Sequence, residues 1–229
     1  MENLLHQYME RAFSDRGIEQ QNNPRPVVTI SREFGCPSKL IAQAVTNELN
    51  KRQGVDKPKK WRFINKEVVE ATAKQLELNQ SEVNYLLSTG EKGLIEDVLA
   101  SFSHSYVSTH RMRKTVSHVV KSIAEQGYVV IVGRGGAGIL HDFPNTIHVR
   151  LQAPREWRIE AVRTTRNIGK AEASTLVNEM DKKRMAFIEV MTGEKFNPYL
   201  FNITINCSAF SNEEIAIAII RLMEIKKMI

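Results

Sequence analysis

The residues best suited to chemistry lie in one turn, Gly35 to Lys39, with Arg32 shortly before it. The apolar, β-branched run Val27 to Ile30 predicts a buried strand before the turn, and the apolar spacing after it predicts an amphipathic helix. A helix N-terminus binds anions, because its unpaired N–H groups and its dipole both favour negative charge. Pro37 suits the first helical turn, where its missing N–H would have no partner. Lys39 and Arg32 could add full positive charges.

The turn matches only part of the phosphate-binding motif G-x-x-x-x-G-K-[ST], whose glycines let the backbone wrap phosphates and whose hydroxyl binds magnesium. With Lys39 at the lysine position, Glu33 and Ser38 occupy the two glycine positions. Leu40 then stands where the motif has its hydroxyl. Ser38 is the hydroxyl residue within the turn and is therefore the candidate magnesium ligand. An ordinary turn between a strand and a helix remains the alternative.

A second cationic turn follows the most apolar run of the chain. Tyr128 to Val132 predicts a buried strand, and Gly133-Arg134-Gly135-Gly136 comes directly after it. Open α/β sheets bind ligands outside the carboxyl ends of their strands, so Arg134 is a candidate anion ligand. The alternative is a flexible turn with a solvated arginine.

Arginines recur in the two helices predicted downstream. The first helix begins near Pro154 and carries Arg155, Arg158, Arg163 and Arg166. Such a segment could clamp a transferring phosphate or could form a solvated face. In the second helix, Ala171 to Gly193, Arg184 lies in line with the apolar stripe, where a charge needs a partner. Asp181, one turn earlier, could supply an i,i+3 pair; otherwise Arg184 is directed into an anion site.

Composition and charge limit the classes of function. With 229 residues, 42% of them apolar and 25% charged, the chain is expected to fold as a globular protein. The net charge of +6 favours an anionic partner, either a phosphorylated metabolite or a nucleic acid. Basic residues form no long block and aromatic residues do not interleave with them, so a nucleic-acid partner is the weaker prediction. Cys36 and Cys207 are too few and too far apart for a disulfide framework.

The order of the elements predicts the architecture. Further strands are expected at 61–64, 146–151 and 202–206, with a closing helix at 213–225. Strands that alternate with helices indicate a mainly parallel sheet with helices on both faces. Residues 1–23 read as a short amphipathic helix and a polar tether, and His104 and His110 as an exposed loop or, less favoured, a metal site. No apolar run approaches about 20 residues and no signal peptide is recognisable, which predicts a cytoplasmic protein without a membrane partner.

Five stretches carry a family resemblance, and they occur in the expected order. They are ISREFG (30–35), VIVGRGG (130–136), HVRLQAPREWRIEAV (148–162), DKKR (181–184) and TGEKFNPYLFNITINCS (192–208). Together they resemble the cytidylate kinase-like family of P-loop nucleoside monophosphate kinases over most of residues 27–221. The resemblance implies a P-loop NTPase-type α/β fold at 24–229, with a five-stranded parallel sheet, a helical insert at 65–110 and an arginine-bearing lid at 155–184.

The same resemblance implies a reaction and its residues. The reaction would transfer the terminal phosphate of ATP to a pyrimidine nucleoside monophosphate, CMP or dCMP, with ATP and Mg²⁺ as cofactors and the nucleotide as the small-molecule partner. The residues implied in catalysis are Lys39, Arg158 and Arg184. Those implied to bind ATP are Arg32, Gly35, Cys36, Pro37, Ser38 and Lys39, with Ser38 on the magnesium. Those implied at the acceptor are Gly133, Arg134 and Gly135, and those in the lid are Arg163 and Arg166.

Two departures from the family pattern keep other functions open. Pro37 and Ser38 stand where the family usually has glycine, and proline removes one N–H donor from the loop. Asn65 stands where members commonly have aspartate. The second hypothesis is therefore a nucleotide-binding but catalytically weak sensor or scaffold, and the third is a nucleic-acid-binding protein. The oligomeric state is left open.

Overall fold

A five-stranded parallel sheet forms the centre of the molecule in the computed structural model, which describes residues 25–53, 59–64 and 109–229. The strands are β1 (Val27–Arg32), β2 (Arg62–Ile64), β3 (Val129–Val132), β4 (Thr146–Gln152) and β5 (Ile203–Asn206). Their order across the sheet is β2-β3-β1-β4-β5, and every neighbouring pair is parallel. The predicted α/β sheet is confirmed.

Helices connect these strands, as parallel pairing requires. They are α1 (Ser38–Gln53), α2 (Thr109–Gln126), α3 (Gly136–Ile139), α4 (Arg155–Arg166), α5 (Lys170–Thr192) and α6 (Asn212–Ile225), with a 3-10 turn at Pro198–Leu200. The predicted lid interval, 155–184, consists of α4 and the first part of α5. No helix in the described ranges is both long and apolar enough to span a bilayer.

Apolar side chains cover both faces of the sheet, because successive residues of a strand point to opposite sides. On one face, Val28 and Val130 share a buried cluster with Ile41 of α1 and Ile219 of α6. On the other face, Val27, Val129 and Ile131 pack with α2 and α3. A third cluster joins Phe34 to apolar residues of α4 and α5, namely Ile159, Val162, Ala173, Val177 and Met180. This third cluster packs α4 and α5, the two helices of the predicted lid interval, against the turn that follows β1.

The central strand β1 lies between β3 and β4 and ends where the predicted anion-binding turn begins. It pairs with β3 on one side, Ile30 opposite Val132, and with β4 on the other, Arg32 opposite Leu151. The carboxyl ends of all three strands therefore meet at one edge. The chain leaves β1 toward one half of the sheet and later returns to build the other half, which opens a crevice at that edge.

Several predictions fall outside the described ranges. They are the N-terminal helix and tether at 1–23, nearly all of the helical insert at 65–110, Asn65 and His104. His110 lies in α2, but its side chain is not described.

Candidate phosphate-binding site

The turn after β1, which comprises residues 33–39, has most of its backbone donors already bonded within the protein. The Glu33 N–H donates to the Leu151 carbonyl at 3.0 Å, the Cys36 N–H to the Glu33 carbonyl at 3.3 Å, and the Ser38 N–H to the Cys36 carbonyl at 2.8 Å. The first bond of α1 runs from the Ile41 N–H to the Pro37 carbonyl, so the helix begins one residue after the proline.

Two helix-start amides remain available. Within the described ranges, the N–H groups of Lys39 and Leu40 have no hydrogen-bond acceptor. Both belong to the first turn of α1, where backbone donors and the helix dipole favour an anion. The Lys39 side chain is exposed beside them. The turn thus offers fewer backbone donors than a glycine-rich phosphate loop.

Gly35 lets the turn approach α4 closely. Its φ is +94°, a conformation that disfavours side chains, and an added Cβ would lie 2.9 Å from the Arg158 carbonyl oxygen. Gly35 is therefore required for packing of the turn on the helix.

Three arginines gather at the carboxyl edge of the sheet. The Arg184 Nη1 donates to the Arg32 carbonyl oxygen at 3.3 Å, and its guanidinium carbon lies 5.0 Å from the centre of the Phe34 ring. The Arg134 charge acts on both Arg32 and Arg184. In the described part of the chain, neither Arg32 nor Arg184 forms an ion pair with a carboxylate. Like charges this close repel and are tolerated mainly where an anion binds between them.

The pKa values of the three arginines reflect mainly their burial and, for Arg32 and Arg184, also the neighbouring positive charges. Burial lowers the pKa of Arg184 to about 10; the nearby Asp181 acts against this shift, and the charges of Arg158 and Arg134 act with it. Burial also lowers the pKa of Arg134 to about 10. The pKa of Arg32 lies well below its usual range, mainly because the guanidinium is buried and also because the charges of Arg184 and Arg134 repel it. A bound polyanion would offset the mutual repulsion of Arg32, Arg134 and Arg184.

The glycine-arginine turn after β3 is shaped to admit these side chains. Gly133 has φ +74°, and an added Cβ would lie 2.0 Å from the Arg32 Nη1. Arg134 itself has φ +56°, which is uncommon for a residue with a side chain. Gly135, at φ +66°, leaves room for Met191 of α5, whose Cγ would lie 2.6 Å from an added Cβ.

Asp181 does not pair with Arg184. Its Oδ1 accepts the Phe34 N–H at 2.7 Å, and its Oδ2 accepts the Arg158 Nη1 at 2.5 Å. The predicted i,i+3 pair is therefore not formed, and the Arg184 guanidinium lies beside the turn instead.

Arg158 lies behind the turn and is only 7% exposed. Its Nε donates to the Ala153 carbonyl at 3.0 Å and lies 3.3 Å from the Glu33 Oε2. Its Nη1 also donates to the Phe34 carbonyl at 3.1 Å. The guanidinium is thus bound by two carboxylates, unlike those of Arg32 and Arg184.

The remaining predicted residues are spread more widely. Arg166 stacks over Phe34 with its guanidinium carbon 5.4 Å from the ring centre, whereas Arg163 pairs with Glu160 at 2.6 Å on the exposed face of α4.

Cys36 is buried, and a hydrogen bond to Cys207, together with burial, raises the pKa of its thiol. Cys36 therefore remains uncharged and does not compete with a bound anion.

The residues present fit a nucleotide and a lightly held magnesium ion. Arg32, Arg134 and Arg184 could supply the charge that phosphates need. The described residues contain no group of three or more His, Cys, Asp or Glu side chains that could hold a metal. Mg²⁺ is usually bound by one or two protein groups, water and substrate phosphates, and the Ser38 hydroxyl could be such a group.

Sequence reasoning missed the roles of Glu33, Phe34 and Asp181. The available signals were the aromatic residue inside the turn and the carboxylate one helical turn before Arg184. Which arginine each carboxylate would contact could not be read from those signals.

Comparison with known proteins places the chain in a family and a fold. The model of the cytidylate kinase-like family matches residues 27–209. None of the curated proteins matches the sequence significantly.

Solved structures share the architecture. An uncharacterised protein from Eubacterium ventriosum ATCC 27560 is similar over 87% of this chain and 98% of its own, with 18% identity and a TM-score of 0.61. Shikimate kinase from Acinetobacter baumannii, solved in complex with shikimate, is similar over 89% and 95%, with 11% identity and a TM-score of 0.50. These similarities show the P-loop kinase fold.

Proposed function

The chain belongs to the cytidylate kinase-like family, and on that basis we propose that it transfers the terminal phosphate of ATP to a pyrimidine nucleoside monophosphate, CMP or dCMP. The observation that supports this most is the cluster of Arg32, Arg134 and Arg184 at the carboxyl edge of the sheet. In the described part of the chain Arg32 and Arg184 form no ion pair with a carboxylate, and Arg134 adds a third positive charge near them. Such a cluster beside a helix N-terminus suits the phosphates of a nucleotide.

The proposed chemistry requires positioning and charge neutralisation more than proton transfer. An oxygen of the acceptor phosphate attacks the terminal phosphorus of ATP, the bond to the β-phosphate oxygen breaks, and ADP leaves. Arg184 and Arg32 neutralise charge on the transferring group, and Arg134 orients the acceptor phosphate. With pKa values of about 10, Arg134 and Arg184 stay protonated at neutral pH.

Lys39 and Ser38 complete the donor side in this proposal. The exposed Lys39 can reach the phosphates from the first turn of α1. When bound, Mg²⁺ supplies further positive charge, with the Ser38 hydroxyl as its protein ligand. Gly35, Cys36 and Pro37 hold the backbone of the turn in place, and Arg166 and Arg163 remain the proposed lid arginines.

The turn predicts slow transfer. Pro37 has no N–H, and the amides of Cys36 and Ser38 are already bonded to carbonyls of the turn. Loss of one preorganised donor typically costs about 3 kcal/mol in the transition state, which is roughly a hundredfold in rate. This observation also favours the second candidate function, a sensor or scaffold that binds nucleotide without turning it over.

ADP formation with a panel of nucleoside monophosphates tests the proposal. With ATP and Mg²⁺, we expect CMP or dCMP to stimulate ADP formation more than UMP, AMP or GMP. ATP binding without stimulation by any monophosphate would instead support the sensor. Salt-dependent binding of generic DNA or RNA, with no nucleotide binding, would support the nucleic-acid alternative.

A further inference from the structure

A series of ion pairs with alternating charge packs against the turn after β1, residues 33–39, which we call the phosphate turn. Asp181 of α5 contacts Arg158 of α4, Arg158 contacts Glu33 of the turn, and the Glu33 Oε1 lies 3.7 Å from the Arg150 Nη2. The Glu33 Oε2 also accepts the Ala153 N–H at 3.3 Å. Each carboxylate in this chain is therefore neutralised, and Arg158 lies between two of them.

The contacts converge on a single residue of the turn, Phe34. The Phe34 N–H is bound by Asp181 at 2.7 Å, and the Phe34 carbonyl is bound by Arg158 at 3.1 Å. Asp181 and Arg158 also bind each other. Two helices of the lid interval thus fix both hydrogen-bonding groups of one turn residue, and charge-assisted bonds of this kind are stronger than neutral ones.

The same helix that fixes the turn also presents an arginine to it. Arg184 lies three residues after Asp181 on α5, and its Nη1 donates to the Arg32 carbonyl at 3.3 Å. Any shift of α5 against the turn would move Asp181 and Arg184 together. Placement errors of about 1 Å can cost a hundredfold in rate when a reaction depends on positioning.

We propose that Asp181 is a positioning residue that sets the phosphate turn and Arg184 for the nucleotide, and that Arg158 acts through Asp181 rather than on the phosphates. This inference rests on the proposed kinase function. It assigns the two arginines different tasks: Arg184 faces the phosphates, whereas Arg158 holds the turn from behind.

Asp181→Asn is the informative substitution. The asparagine keeps an oxygen for the Phe34 N–H but presents a neutral amide to Arg158, leaving that buried guanidinium without one of its carboxylates. We expect the Kd for a non-hydrolysable ATP analogue to rise about tenfold and kcat to fall by a similar factor. Glu172→Gln is the matched control, since it makes the same chemical change at an exposed position of α5.

A double-mutant cycle separates positioning from a general loss of stability. If Arg158 acts through Asp181, Arg158→Gln combined with Asp181→Asn should weaken analogue binding little more than either substitution alone. Additive losses would mean that Arg158 acts independently of Asp181, and would overturn that part of the inference. Wild-type Kd and kcat in Asp181→Asn would overturn the whole of it.

A second variant tests the inference if Asp181→Asn is unstable. If Asp181→Asn fails to fold, Arg158→Lys keeps the positive charge but cannot bridge Phe34 and Asp181 in the same way. A rise in its Kd would then support the inference, and an unchanged Kd would overturn it. The wild-type Kd for the ATP analogue is measured beside those of the variants. If the wild type does not bind the analogue at all, the proposed function has failed, and not this inference.

Discussion

The Arg184 Nη1 donates to the carbonyl oxygen of Arg32 at 3.3 Å, which joins the long helix α5 to the end of the central strand. This contact brings an arginine from late in the chain to the turn that follows β1. Arg134 approaches the same place from the end of β3, so that three elements distant in sequence deliver positive charge to one edge of the sheet.

Replacement of Arg184 should impair transfer without unfolding the protein. Arg184→Gln removes a charge that is proposed to neutralise the transferring phosphate, and we expect kcat/KM to fall on the order of a hundredfold. Lys182→Gln is the matched control, because Lys182 is exposed on the same helix and should retain wild-type activity. Equal activities in the two variants would exclude Arg184 from the site.

Lys39→Ala should lower turnover strongly while the melting temperature stays close to that of the wild type. Lys39 is exposed on the first turn of α1, where substitutions usually change stability by less than about 0.5 kcal/mol. Lys51→Ala, at the exposed end of the same helix, serves as the control. Unchanged turnover in Lys39→Ala would remove this lysine from the phosphate site.

Gly133→Ala should damage both stability and nucleotide binding. The new Cβ would lie 2.0 Å from the Arg32 Nη1, and the residue would keep φ near +74°. Strained backbone of this kind costs on the order of 1–3 kcal/mol, and Arg32 would be displaced. At Gly169 an added Cβ meets nothing within 4 Å, so Gly169→Ala is the control. Thermal melts and ATP titrations of both variants would test this, and matching results would contradict it.

The stability of the protein should fall between pH 6.5 and about 4 because of His148. Burial lowers the pKa of His148 to about 4 from the ordinary 6.5, and its Nδ1 lies 2.7 Å from the Thr29 Oγ1. The unfolded chain therefore binds a proton that the folded chain rejects in this window, so acid favours unfolding. The pKa difference corresponds to about 3 kcal/mol when fully expressed.

Denaturant unfolding across this pH range measures the effect. The wild type should lose stability more steeply than His148→Gln, which has no group that titrates there. Parallel pH profiles for the two proteins would show that His148 is not the source.

The sequence was sufficient for the framework of the sheet. Val27 to Ile30 and Tyr128 to Val132 are apolar runs too short for helices, and both lie in adjacent strands of the structure. The convergence of Arg32 and Arg134 followed from the rule that parallel strands end at a common edge. Local pattern and topology were enough for these features.

The partners of the other arginines could not be predicted in the same way. Arg158 and Arg184 both lie on helices after β4, yet one is bound by two carboxylates and the other faces the turn. That difference arises because Phe34 packs between α4 and α5 and draws the Asp181 carboxylate to its N–H. Contacts separated by more than a hundred residues leave no periodic signal in the sequence.

Transfer of labelled phosphate tests the central claim most directly. Wild-type protein is incubated with ATP labelled at the terminal phosphate, Mg²⁺ and CMP or dCMP, and the products are separated and counted beside an Arg184→Gln reaction. The proposed function predicts labelled CDP or dCDP from the wild type, at a rate roughly a hundredfold above that of the variant. Label that stays in ATP with every monophosphate, or equal transfer by both proteins, would contradict it.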